Sequence, residues 1–337
     1  MVRTYKRRFC LSLGLSALGS LAMGFGATTA AQAEEVWPHP GKAIRIVVPL
    51  PAGSGSDVAA RLLAKLMSDE LKGHPVIVDN KPGASTFIGA QDVARSPADG
   101  HTLLYTIVIT HTQNPHLYAK LPYDPVKDFT PLTQVMKSAT VLIASPNAPF
   151  NNLKELVAYA KANPDKLNYA SYSPGSTSHL NAELLQMRTG IKMLHVPYKG
   201  ATDASRALVA GDVQLYFDGT ASAVGLIKAG KAKGIGSATP TRVSALPDLP
   251  TIQEQGVDGI NIVGWQGVFG AGKMSPALTD KVSNVISKAS RSKEMLALIE
   301  TQGNEASGAG AAEFARIVAS DSMKWGEVIK AAGIRLD

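Results

Sequence analysis

A chain of 337 residues, 45% of them hydrophobic and 18% charged, can bury one large core or two ordinary ones. The formal net charge of +7 hints at an anionic polymer as partner, but four of the 34 basic residues, Arg3, Lys6, Arg7 and Arg8, stand in the first 33 positions, which hold no acid. The remainder carries 30 basic and 27 acidic residues, net +3, without a basic cluster, so nucleic-acid binding is not expected.

The first segment in chain order reads as a leader. Its basic start precedes an apolar run over residues 9–25, and Ala31-Gln32-Ala33 is a small-x-small cleavage pattern, so a secretory signal cut after Ala33 is expected. Ser and Gly break the apolar run, which falls short of the ~20 residues that a membrane span needs. The single cysteine, Cys10, belongs to this leader; the mature chain then has no disulfide, thiolate metal site or cysteine nucleophile.

From Ala43 onward, β-rich runs alternate with helical patterns. The pattern predicts a strand at 44–48, a helix at 58–71, a strand at 76–78, a helix at 87–94 and a strand at 102–109. It continues with strands at 141–144, 167–170, 193–196 and 213–217, each followed by a helix, at 153–162, 179–187, 204–210 and 223–229. Such alternation implies βαβ units on mainly parallel sheets, and this many strands favours two sheets over one. Two further extended runs, "QVMKSATVLIASP" and "GINIVGWQGVFGA", flank the second half and are expected to cross between lobes as hinges.

One stretch bears directly on function. In "VVPLPAGSGSDVAARLL" a strand runs into Gly53, Ser54, Gly55, Ser56 and Asp57 and then into a helix, the place where open α/β sheets bind ligands. A dinucleotide loop would need glycine where Val58 stands, and a phosphate loop would need a lysine that is absent between Lys42 and Lys65. What remains is a group of N–H donors and hydroxyls at a positive helix end, which suits a carboxylate and also serves as a plain capped turn. "LNYASYSPGSTSHLNAELL" repeats this build with Ser173, Gly175, Ser176, Thr177, Ser178 and His179. Two such helix starts, one per lobe, would face each other across a cleft and fit a ligand with an anion at each end. A third hydroxyl cluster, from Thr106 to Thr110 and Thr112, follows a strand end and would line the same cleft. Asp218, after "VQLYF", and Tyr198, in "VPYKG", are further candidates, each with an ordinary alternative as a turn cap and a packed aromatic.

Catalysis has less support. There is no Gly-x-Ser-x-Gly elbow, and the histidines show no metal-ligand spacing, so no catalytic residue, metal or cofactor is expected.

Five ordered motifs, "WPHPGKAIRIVVPLPAGSGSDVAARLLAKLM", "VIVDNKPGASTFIGAQDVARSPADGHTLL", "LPYDPVKDF", "HVPYKGATDASRALVAGDVQLYF" and "RVSALPDLPTIQEQG", resemble the substrate-binding proteins of tripartite tricarboxylate transporters, the Bug or TctC family. The resemblance runs through nearly the whole mature chain. It implies a two-lobed periplasmic binding protein fold of type II, one lobe from residues 34–135 and 252–337 and the other from 136–251, each a mainly parallel sheet flanked by helices. It implies a monomer that closes on a small carboxylate, a di- or tricarboxylate or an aromatic acid, and delivers it to a permease of one large and one small membrane subunit. Residues 51–57, 106–110 and 173–179 match the family's binding loops. This chain departs from the family's usual Pro-Gly-Gly by placing Ser54 in the first loop, so ligand preference does not carry over from relatives. A sensor feeding a two-component system, or an enzyme on the same fold, are the alternative readings.

Overall fold

The leader read over residues 1–33 lies outside the residues that the structure, a computed structural model, describes: 36–260 and 263–336. The expected alternation is present. The first half runs β1 (Ile44–Val48), α1 (Gly55–Glu70), β2 (Val76–Asn80), α2 (Phe87–Ala94), β3 (Thr102–Ile107), α3 (Asn114–Leu117) and β4 (Phe129–Ser138). It continues with β5 (Thr140–Ala144), α4 (Leu153–Ala162), β6 (Asn168–Ser171), α5 (Thr177–Thr189), β7 (Leu194–Pro197), α6 (Ala201–Ala210), β8 (Leu215–Gly219), α7 (Thr220–Lys228) and β9 (Lys233–Ser237). The last part holds β10 (Gly264–Ala271), α8 (Pro276–Ser290), α9 (Lys293–Thr301), β11 (Glu305–Ala309) and α10 (Ala311–Ala332).

The strands form two sheets, ordered β11-β4-β10-β3-β1-β2 and β7-β6-β8-β5-β9. In the first, β1, β2, β3 and β4 point one way while β10 and β11 oppose them; in the second only β5 is reversed. Both sheets are therefore mixed and not mainly parallel: the βαβ units pair β2-β1-β3 and β7-β6-β8 in parallel, and every pairing of β10, β11 or β5 is antiparallel. The reversed strands sit where the chain changes sheets: β4 ends at Ser138, β5 starts at Thr140, and β10 lies beside this passage with Gly264 paired to Ser138. Only Ala139 separates the two sheets along the chain at that point.

Helix α1 shows how tertiary packing refines a periodic pattern. Val58, which opens the helix that the spacing predicts, is 43% exposed, and the buried face is Ala59, Ala60, Leu63, Leu66 and Met67. The face is chosen by contacts with β2 and α8 on either side, which the spacing alone does not encode. Apolar side chains from both sheets share one core cluster, in which Leu104 and Phe269 of the first sheet join Leu142 and Phe217 of the second through α5 and α10.

Candidate ligand-binding site

The first glycine-serine loop is built by its own aspartate. Ser54 is the N-cap of α1, and its hydroxyl accepts the Asp57 N–H at 3.3 Å. The Asp57 carboxylate points back into the loop, accepting from Gly53 N–H at 2.8 Å, Asn80 Nδ2 at 2.9 Å and Arg61 Nε at 3.0 Å. Burial pushes this carboxyl up, but Arg61, the Gly53 N–H and Asn80 outweigh it and hold it below the ordinary carboxylate value. Its oxygens are thus committed to shaping the turn. Gly55 faces the Gln302 side chain, whose Nε2 donates to the Gly55 carbonyl at 3.0 Å, and Ser56 is buried in the first turn.

The second loop has the same construction with different chemistry. Ser176 caps α5: its hydroxyl accepts the His179 N–H and donates to the Ser173 carbonyl at 2.6 Å. The Gly175 N–H donates to His179 Nδ1 at 3.0 Å. His179 stacks on His195 with centroids 3.8 Å apart, and Tyr169 stacks on His195 in turn. Burial, then the charge of a neighbouring His195, lowers His179 to about 3. Ser178 donates to the Ala170 carbonyl at 3.4 Å, and Thr177 accepts from Gln113 Nε2 at 3.2 Å. Burial raises the Tyr172 phenol above its ordinary value, and Thr177, Ser178 and Ser176 at the start of α5 only partly offset it.

These loops meet at a recess of about 460 Å³. The end of β1 (Pro49, Leu50, Pro51), the turn after β2 (Pro82, Gly83, Ser85, Thr86) and the second loop from Tyr172 to Ser176 line it, with Ile107, Ile109, Asn114, Leu117 and Leu336 completing the wall. Among the sequence-derived candidates, Ser173, Gly175 and Ser176 reach this wall directly. Thr177, Ser178 and His179 stand behind it. Thr106 and Thr110 do likewise: both are fully buried, Thr106 pairs with Thr110 at 2.6 Å, and Thr110 donates to Thr86 at 2.8 Å, so they hold the lining residue Thr86 in place. Of the first loop, the strand end at residues 49–51 lines the recess, while Ser54, Gly55, Ser56 and Asp57 follow it outside the lining. The two helix starts therefore do not share one cavity wall.

Residues 59–334 match the model of the tripartite tricarboxylate transporter family receptor, TctC. The chain belongs to this family. Solved structures agree: the periplasmic binding protein BugD is 33% identical over 88% of this chain and 99% of its own, with a TM-score of 0.74. A Rhodopseudomonas palustris protein, MatC, solved with malate, is 29% identical over 86% of this chain and all of its own, with a TM-score of 0.73. R. palustris Rpa4515, solved with adipate, is 31% identical over 88% of this chain and 99% of its own, with a TM-score of 0.77. The two-sheet α/β architecture is thus that of the periplasmic binding proteins.

Within this TctC-family chain, two further candidates lie apart from the recess. Asp218 is buried at the end of β8, where it accepts from the hydroxyls of Ser205 at 3.1 Å and Ser222 at 2.5 Å and from Gly219 N–H at 2.8 Å. Burial raises its carboxyl despite those donors. It ties the middle of α6 to the start of α7. Tyr198 lines a shallow depression with Asp203, Arg206 and Asp212 on the α6 side.

Sequence reasoning missed Tyr172, Thr86, Asn114, Leu117 and Leu336. The Ala-Ser-Thr before α2 repeats the hydroxyl-before-helix signal that marked the other loops and was available. Ser85 and Thr86 also hold left-handed backbone, φ 50° and 79°, which non-glycine residues adopt at a cost of order 1–3 kcal/mol each. Leu336 carries no such signal. A second recess, of about 410 Å³, opens between Thr220 and Ala221 at the start of α7 and Gly303 and Asn304 before β11. Glu300 and Glu305 line it, which makes it hostile to an anion.

Proposed function

We propose that this protein is a periplasmic receptor for a small carboxylate, delivering it to a tripartite tricarboxylate-type permease of one large and one small membrane subunit without chemistry of its own. The observation that carries this reading is the end of the recess at α5. There Tyr172 and Ser173 bring hydroxyl-bearing side chains into the lining, next to the N-cap Ser176 and the positive start of α5. Among the described residues no acidic side chain lines that wall to repel a carboxylate. Similarity to binding proteins solved with adipate and malate supports the same class.

On this reading the chain is exported, cut after Ala33 and monomeric. Residues 34–135 and 252–337 form one lobe around the first sheet, and 136–251 form the other. The lobes pivot where β4 passes into β5 beside β10. Thermal-shift measurement of the exported protein against a carboxylate panel tests the function: saturation at about 100 times Kd adds about 2.7 kcal/mol and raises the midpoint by several degrees. No shift with any carboxylate would refute it. Deletion that leaves uptake of the bound acid intact would remove the permease from the reading.

A further inference from the structure

The wall of the recess differs in character from its donor-bearing end. Among the described residues, no Lys, Arg, His, Asp or Glu is in its lining, so a second charged group on a ligand would meet no counter-charge from them. Three hydroxyls in the wall are already engaged. Thr86 accepts from Thr110 and Asn114, Ser85 pairs with the Tyr118 hydroxyl at 2.8 Å, and Ser176 is held between Ser173 and His179. One polar atom stands apart: Asn114 Oδ1 is buried without a partner and accepts a single neutral donor.

The rest is hydrocarbon held in a fixed shape. The backbone N–H of Leu336 donates to the Leu117 carbonyl at 3.0 Å, which docks the stretch after α10 onto the end of α3. Both leucine side chains then press on the second loop: a Cβ placed on Gly175 would lie 2.7 Å from Leu117 Cδ1 and 2.9 Å from Leu336 Cδ1. Gly175, at φ 70°, is therefore the only fit at a position that is both left-handed and crowded. Leu117 and Leu336 thus form an apolar seat in the same lining as Tyr172.

We propose that the recess takes a carboxylic acid with an otherwise uncharged hydrocarbon body, and that Leu117 and Leu336 set this preference. This rests on the carboxylate-receptor reading. A carboxylate of such an acid meets the donor end, and its body displaces water from leucine and isoleucine surface. A second carboxylate or an ammonium loses its hydration there and finds no partner.

Calorimetry on the exported protein with benzoate, hexanoate, malate, citrate and glutamate tests this. Benzoate or hexanoate should bind at least about tenfold more tightly than the other three, the discrimination an apolar pocket achieves. Leu117 is packed in the core, so the variant that carries the test is Leu336→Gln, at a half-buried position. It should weaken the apolar acid about tenfold with little change in thermal midpoint, while Leu336→Met keeps the affinity. Malate, citrate or glutamate binding as tightly as the apolar acids, or Leu336→Gln leaving their ratio unchanged, overturns the proposal. Binding of no acid at all overturns the receptor reading and this one together.

Discussion

The Gly175 N–H donates to Nδ1 of His179, 3.0 Å away and one helical turn later, so a neutral imidazole closes the second loop. A protonated ring would present a donor where an acceptor is needed. Burial lowers His179 to about 3, and it lowers His195 and His111 to about 4, from an ordinary value of 6.5. Above about 6.5 neither state binds these protons and stability is unaffected. As pH falls below that value the unfolded chain takes up protons that the folded chain refuses, so stability declines until the folded values are reached. For His111, which is buried against Phe269, the decline is at most about 1.4 kcal/mol per pH unit. The thermal midpoint should therefore drop between about pH 6.5 and pH 4.5. A flat profile across that window would contradict the neutral, buried imidazoles.

Asp57→Asn keeps the size of the side chain but offers an amide donor toward Gly53 N–H, Asn80 Nδ2 and Arg61. Hydrogen bonds to a charged partner contribute about 1.5–3 kcal/mol, so a loss of that order is expected in chemical denaturation. The wild-type contribution is itself pH-dependent. Because the folded carboxyl titrates below its ordinary value of 3.8, the stabilisation is complete above that value and fades as pH falls through the lower folded one. Equal stability of wild type and variant at neutral pH would show that the turn does not depend on the carboxylate.

Gly175→Ala should destabilise the fold by roughly 1–3 kcal/mol, since it adds a methyl group against Leu117 and Leu336 at left-handed backbone. Trimming the neighbour in Gly175→Ala/Leu336→Ala removes part of the clash, so the double variant should lose less than the sum of the single changes. Strict additivity in a double-mutant cycle would mean that the loop and the leucine are not in contact.

Tyr172→Phe removes a hydroxyl from a residue that lines the recess near the α5 start. A carboxylate that takes this O–H should bind about tenfold more weakly to the variant, equivalent to ~1.4 kcal/mol. Calorimetry with the best-binding acid reads the change. Unaltered affinity would place the carboxylate elsewhere in the recess.

Ser85→Gly relieves one of two successive left-handed residues beside the recess, at the expense of an exposed hydrogen bond to Tyr118. Removing strain of order 1 kcal/mol or more against that weak bond should raise the thermal midpoint. A lowered midpoint would show that the hydroxyl pair matters more than the backbone.

Local chemistry decided much of this protein without tertiary information. Local spacing marked β1, α2 and α4 at their observed bounds, because β1 is a short, mostly apolar run buried on both faces and the two helices are short elements patterned by one buried face. The residues that cap α1 and α5, Ser54 and Ser176, were legible because a capping hydroxyl acts within three residues of itself. The tertiary structure decided which of these groups reach the recess. Asp57, Thr106, Thr110 and His179 look like ligand contacts in sequence, yet their hydrogen bonds turn inward to hold the loops. Leu336 lies 219 positions from Leu117, and a single backbone hydrogen bond brings it to the wall. Spacing records what a residue does for its own turn of helix or strand, whereas the composition of a cavity wall depends on which distant side chains the packing brings there.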